Sequence, residues 1–86
     1  RAAMIVLHDA QGVPLPVGSV VQREGNAERV VVGYDGETYL DNLQIDNRIL
    51  VELPDGRCSA RFTYPTNPGG IPRVGPLPCV LEQQTP

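Results

Sequence analysis

The sequence predicts an all-β fold, an antiparallel β-sandwich of about seven short strands with a single disulfide. Nine glycines and nine prolines among 86 residues interrupt every window in which a long amphipathic helix could form. Short runs rich in valine and leucine alternate with turn residues at intervals of about 8 to 12 residues, which is typical of a sandwich or barrel. Two cysteines, Cys58 and Cys79, complete the pattern.

Length and composition indicate one domain with an aliphatic core. The chain has no tryptophan, one phenylalanine and a formal net charge of −3. Because its acids and bases are interspersed, the sequence argues against a nucleic-acid-binding face. We expect residues 1–81 to form the domain and residues 82–86 to form a disordered tail. The chain begins at Arg1 and not at a methionine, so we expect it to be part of a longer protein with its targeting signal upstream.

The predicted strands follow the apolar runs. They cover residues 2–8, 18–23, 28–34, 37–41, 48–53, 58–64 and 77–81. The first is an unbroken apolar run that ends at a turn over residues 9–12. Pro14 and Pro16 follow, and they predict an extended, poorly paired segment at a sheet edge.

Two turns predict hairpins. Asp35-Gly36 separates the third strand from the fourth, and this pair accepts the positive φ of a type I′ turn. Pro54-Asp55-Gly56 is expected to do the same between the fifth and sixth strands.

The fifth and sixth strands show which side chains face the core. In 48–53 the alternation places Ile49 and Val51 inward, with Leu50 as the apolar exception on the outer face. In 58–64 it places Cys58 and Phe62 on the core side.

The two cysteines enclose a proline-rich stretch, residues 65–78, that has little means of packing alone. A disulfide between Cys58 and Cys79 would attach this stretch to the sheet and stabilise the fold by roughly 3 kcal/mol in the chain-entropy account. Two buried free thiols are the alternative. A zinc site lacks ligands, because the single histidine, His8, is distant and no other cysteine exists.

The sequence contains no pattern that indicates an enzyme. His8 and Asp9 are adjacent on a strand and point to opposite faces, so they do not form a catalytic pair. Gly69-Gly70 is followed by neither a Gly-Lys-Ser/Thr motif nor a helix, which excludes a phosphate-binding loop. We therefore expect a binding or structural module without cofactors.

Several motifs in order make the chain resemble the C-terminal domain of outer-membrane ushers, which assemble pili by the chaperone–usher pathway. The motifs are GVPLPVGS at residues 12–19, VGYDGETYL at 32–40, Leu50-Val51, Cys58, Tyr64-Pro65 and Cys79. Val17 and Ser19 stand where the family usually has phenylalanine and alanine, and Leu53-Pro54 falls where tryptophan is common. The similarity extends from about residue 4 to Cys79.

The resemblance implies a periplasmic β-sandwich that follows a transmembrane barrel lying upstream of this chain. It implies partners of two kinds, chaperone–pilin subunit complexes and other domains of the same usher. Its implied role is to hold each complex while donor-strand exchange adds the subunit to the fibre, with no ATP and no metal.

Two apolar residues on exposed strand faces are candidate partner contacts, with ordinary isolated surface residues as the alternative. Leu50 and, beside it in the hairpin region, Tyr39 are apolar groups on otherwise polar faces.

The alternative function is that of a structural or adhesive β-sandwich stalk domain in a bacterial surface protein, with no transient client.

Overall fold

The computed structural model describes residues 1–82 and confirms the all-β fold. These residues form eight strands: β1 (Ala3–His8), β2 (Val20–Arg23), β3 (Arg29–Val31), β4 (Glu37–Leu40), β5 (Asp46–Leu53), β6 (Gly56–Thr63), β7 (Arg73–Pro78) and β8 (Val80–Leu81). A tight turn over Tyr34–Gly36, in which Asp35 has a non-helical backbone, lies before β4. None of the helical structure in this part of the chain is long and apolar enough to cross a membrane.

The strands form two sheets. One has three strands in the order β4-β1-β7, and the other has five in the order β3-β2-β5-β6-β8. Inward side chains of both sheets meet in one aliphatic core, in which Ile5 and Leu7 from the first sheet and Val21, Ile49 and Val51 from the second are fully buried. Branched aliphatic side chains suit this arrangement because they pack well on a pleated surface.

The β5–β6 hairpin is the longest pairing among the described strands, and it confirms the predicted alternation. Its register runs from Asp46 opposite Thr63 to Leu53 opposite Gly56. Only Pro54 and Asp55 lie between the strands. The predicted hairpin turn is therefore confirmed, although neither Pro54 nor Asp55 has the positive φ of the Asp35-Gly36 turn, because proline at the first turn position fixes φ near −65°.

The Asp35-Gly36 turn has the predicted backbone but joins different strands from those expected. Asp35 has φ 57° and Gly36 has φ 75°, as a type I′ turn requires. However, β3 belongs to the five-stranded sheet and β4 to the three-stranded sheet. The turn therefore carries the chain from one sheet to the other and does not close a hairpin within one sheet.

The prediction of one strand over residues 77–81 is wrong, because the proline-rich stretch contributes more regular structure than expected. Residues 73–78 form β7, which pairs in parallel with β1. Residues 80–81 form β8, which pairs antiparallel with β6. The last strands thus split between the two sheets at Cys79, and the sandwich includes one parallel pair.

The segment containing Pro14 and Pro16 lies at an edge with little pairing. It makes one isolated bridge, His8 with Pro14, and Leu15 N–H donates to the carbonyl of Leu7 at 3.1 Å. Leu15 is buried against the core.

Near the C-terminal end of the described residues, the first residue of the predicted tail is hydrogen-bonded to β6. Glu82 N–H donates to the carbonyl of Arg57 at 2.8 Å. The rest of that tail, residues 83–86, lies outside the described residues.

Candidate docking surfaces

The predicted disulfide between Cys58 and Cys79 is present and buried. The two α-carbons are 5.3 Å apart, and both residues belong to the core. Cys58 faces inward from β6, as its alternation predicts, and Cys79 N–H donates to the carbonyl of His8 at 2.8 Å. The disulfide and this hydrogen bond hold the point where the chain leaves one sheet for the other, so they fix the direction in which β8 leaves the core.

An apolar groove lies beside β8, and we call it the end groove. It has a volume of about 760 Å³ and is lined by residues 9–11, 15–16, 53–55 and 78–81. These four segments are the first turn, the segment after it, the β5–β6 turn and the split between β7 and β8. The end groove is therefore the open end of the sandwich, where the sheets do not cover each other.

Exposed aliphatic side chains and rigid prolines shape the end groove. Val80 and Leu81 are 64% and 67% exposed, which is high for aliphatic residues in a strand of this small domain. Pro16, Pro54 and Pro78 also line it, and proline has no backbone N–H to offer and a fixed φ. The walls are consequently apolar and stiff.

The charge of the end groove is acidic. Asp9 and Asp55 line it, and no basic residue does so within residues 1–82. One carboxylate oxygen of Asp9 accepts hydrogen bonds from the backbone N–H groups of Gln11 and Val13, both at 2.9 Å. These bonds close the first turn and hold the Asp9 carboxylate in place.

A second, polar cleft of about 640 Å³ lies on the five-stranded sheet, where Arg48 is held between two carboxylates. Arg48 bonds Glu24 at 2.5 Å and Glu82 at 2.6 Å. The hydrogen bond to Glu24 raises the pKa of Arg48 above its usual value, against an opposing effect of desolvation. Arg48 is therefore already paired with two carboxylates within the described part of the chain.

Leu50 lies on the outer face of the five-stranded sheet. Its neighbours on the adjacent strands are Gln22 and Ser59, and along β5 it stands between Arg48 and Glu52. Glu52 in turn pairs with a basic residue of β6 at 2.6 Å. Leu50 is thus a single half-buried apolar side chain among polar ones.

Tyr39 lies on the outer face of the other sheet. It is 46% exposed and stands opposite Met4, which is flanked on its far side by Arg73. Because the two sheets pack face to face, the outer faces that carry Tyr39 and Leu50 look in opposite directions. The structure therefore does not bring the two predicted contacts together.

Sequence reasoning missed the end groove as a site. The apolar run Val80-Leu81 directly after Cys79 was a usable signal, because an aliphatic pair beside a cysteine that is tied to the core must lie near the end of the sheet. The other walls come from segments far apart in the sequence, which no local pattern links. No group of three or more His, Cys, Asp and Glu side chains that could hold a metal ion occurs in the described part of the chain.

Comparison with known proteins gives one family and several similar structures. The family model described as the PapC C-terminal domain matches residues 4–66. None of the curated proteins matches the chain.

The first similar structure is the Caf1A usher C-terminal domain, whose conserved surface hydrophobic clusters are important for F1 antigen assembly. It is 27% identical with a TM-score of 0.82, over 96% of this chain and 100% of that one. The C-terminal domain of the PapC usher is 21% identical with a TM-score of 0.72, over 93% and 99% of the two chains, and this second likeness is one of fold.

Proposed function

The chain belongs to the family of PapC C-terminal domains, the C-terminal domains of ushers, and from that premise we propose that it binds chaperone–subunit complexes on the periplasmic side of the outer membrane during pilus assembly. It acts by binding and orienting each complex, without bond chemistry and without a cofactor. Other domains of the same usher are its further partners.

The observation that carries the proposal is the exposed apolar surface at the end groove. In the Caf1A usher C-terminal domain, surface hydrophobic clusters are important for assembly of its antigen. In this chain, Val80 and Leu81 are exposed and both line the end groove, and the side chain of Leu81 lies on the core-side face of the sheet. Burial of exposed apolar side chains in an interface favours association, because it removes apolar surface from water.

Calorimetry with a purified periplasmic chaperone–pilin complex tests the proposal. The 86-residue chain is titrated under non-reducing conditions, with chaperone alone as the comparison. We expect saturable binding of the complex and weaker binding of chaperone alone. Absence of binding by a folded, disulfide-bonded chain would contradict the proposal and favour a stalk domain with no transient client.

A matched pair of variants locates the contact. Leu81→Asp places a charge on the face that lines the end groove, and we expect it to weaken binding by about tenfold or more, because burial of an unpaired charge is costly. Ile45→Asp is the control, because Ile45 is 57% exposed and lies before β5, at the opposite end of that strand from the end groove. Equal losses for the two variants would place the contact elsewhere.

A further inference from the structure

One residue of β8 has a free main-chain edge. In the ladder between β6 and β8, Val80 stands opposite Ser59 and Leu81 opposite Cys58, and Glu82 N–H donates to the carbonyl of Arg57. Main-chain groups in an antiparallel ladder point alternately toward and away from the partner strand. The N–H and C=O of Leu81 therefore point away from β6, and within residues 1–82 neither has a hydrogen-bond partner.

The side chain of Leu81 also faces open space. It lies on the same face as Cys58, the core side of the sheet, yet it is 67% exposed because the other sheet does not extend over it. Leu81 lines the end groove. An unpaired strand edge and an uncovered apolar side chain thus occur at one residue, and together they are what an added strand needs.

The other walls favour an extended segment of defined composition. Pro16, Pro54 and Pro78 supply apolar surface without N–H donors that would compete for the carbonyl groups of an incoming chain. Asp9 and Asp55 add negative charge with no basic residue to offset it within the described lining. A strand with apolar side chains on one face and a basic side chain near an end is complementary to this site.

We propose that the end groove binds an extended, apolar and basic segment of the chaperone–subunit complex by strand addition to the free edge at Leu81. This inference rests on the proposed function for the identity of the partner, and it adds the mode of recognition. The incoming strand hydrogen-bonds to the main chain of Leu81, lays its apolar side chains against the prolines, and brings a basic side chain to Asp9 or Asp55.

Synthetic peptides test the chemistry of the groove without the complex. The probe is an acetylated hexapeptide of alternating valine and lysine, followed by amide NMR of the 86-residue chain. We expect its largest shifts at Leu81 and at residues 9–11. Glutamate in place of lysine should abolish the shifts, and N-methylation of alternate amides should do the same. Shifts elsewhere, or equal binding of either control peptide, would overturn strand addition.

Two substitutions of Leu81 test strand addition with the chaperone–pilin complex. Leu81→Ala removes the side chain and keeps the N–H, whereas Leu81→Pro removes both. Because Leu81 N–H makes no bond to β6, proline is compatible with the β6–β8 pairing at this edge. We expect Leu81→Pro to bind about fivefold more weakly than Leu81→Ala, the loss of one hydrogen bond.

The outcomes separate the two proposals. Equal affinities of the two Leu81 variants would overturn strand addition while leaving complex binding in place. No binding of the complex by the unsubstituted chain would overturn the proposed function and the identity of the partner, and the peptide shifts would then show whether the groove recognises an extended basic strand. Circular dichroism of each variant establishes that it is folded.

Discussion

The α-carbon of Gly36 lies directly against the main-chain carbonyl of Leu7. A Cβ at position 36 would overlap that oxygen and crowd the carbonyl carbon and nitrogen of the same residue. The type I′ turn that carries the chain from one sheet to the other is therefore packed against the central strand of the three-stranded sheet. Only glycine satisfies both this approach and the φ of 75°.

Substitution of Gly36 should lower the free energy of unfolding by much more than its positive φ alone would cost. We expect Gly36→Ala to lower the free energy of unfolding by about 2 kcal/mol or more, because backbone must move in addition to the cost of the left-handed conformation. Gly12→Ala is the matched control, since Gly12 has φ 80° with no atom near its missing Cβ. It should cost about 1 kcal/mol. Urea denaturation measures both, and similar losses would show that the contact with Leu7 yields easily.

Removal of the disulfide should destabilise the domain strongly. We expect the double variant Cys58→Ala with Cys79→Ala to lose about 3 kcal/mol in the free energy of unfolding, since the closed loop spans 21 positions. That loss is a large share of the stability of a small domain. Urea denaturation of the two forms gives the value. A loss below about 1 kcal/mol would mean that packing around Cys79 holds β8 without the covalent bond.

A single tyrosine hydroxyl ties the segment after β6 to the start of the chain. Tyr64 Oη donates to the carbonyl of Ala2 at 3.0 Å. We expect Tyr64→Phe to cost about 1 kcal/mol, the usual contribution of one such bond. Tyr39→Phe is the control, because its hydroxyl makes no hydrogen bond within residues 1–82, and it should change stability by less than about 0.5 kcal/mol. Equal effects of the two changes would show that the bond to Ala2 contributes nothing.

The opposite outer faces that carry Tyr39 and Leu50 can be tested separately for partner binding. We expect Tyr39→Ala to weaken capture of a chaperone–pilin complex more than Leu50→Ala, because exposed tyrosines are frequent binding anchors and Leu50 is surrounded by polar side chains. Calorimetry on both folded variants measures the losses. A larger loss for Leu50 would place a contact on the outer face of the five-stranded sheet, and no loss for either would discard both residues as contacts.

Local alternation predicted the fold class and the faces of its best-defined strands. Cys58 and Phe62 face the core and Leu50 faces outward because the period of two is independent of which strands are neighbours. The disulfide was predicted on other grounds, since two cysteines that enclose a proline-rich stretch in a small domain favour a covalent tie. The strand faces were predictable because they depend only on the residues adjacent in sequence.

Long-range placement was not predictable in this way. Periodicity does not report sheet order, so Tyr39 and Leu50 were expected side by side although they belong to different sheets. The parallel pairing of β7 was also missed, because its prolines and glycine suggest a loop to any local rule. The end groove needs four separate segments, and their meeting is a property of the tertiary fold alone.

The position of β1 in its sheet affects how the domain folds while the chain is being synthesised. β1 is synthesised before the other seven described strands, yet its two neighbours are β4 and β7. It stays without a partner on one side until residues 73–78 have been synthesised. Such distant pairing slows folding, so the domain reaches its native state only after β7 has been synthesised, and a growing chain halted before β7 would hold an apolar strand open to other proteins.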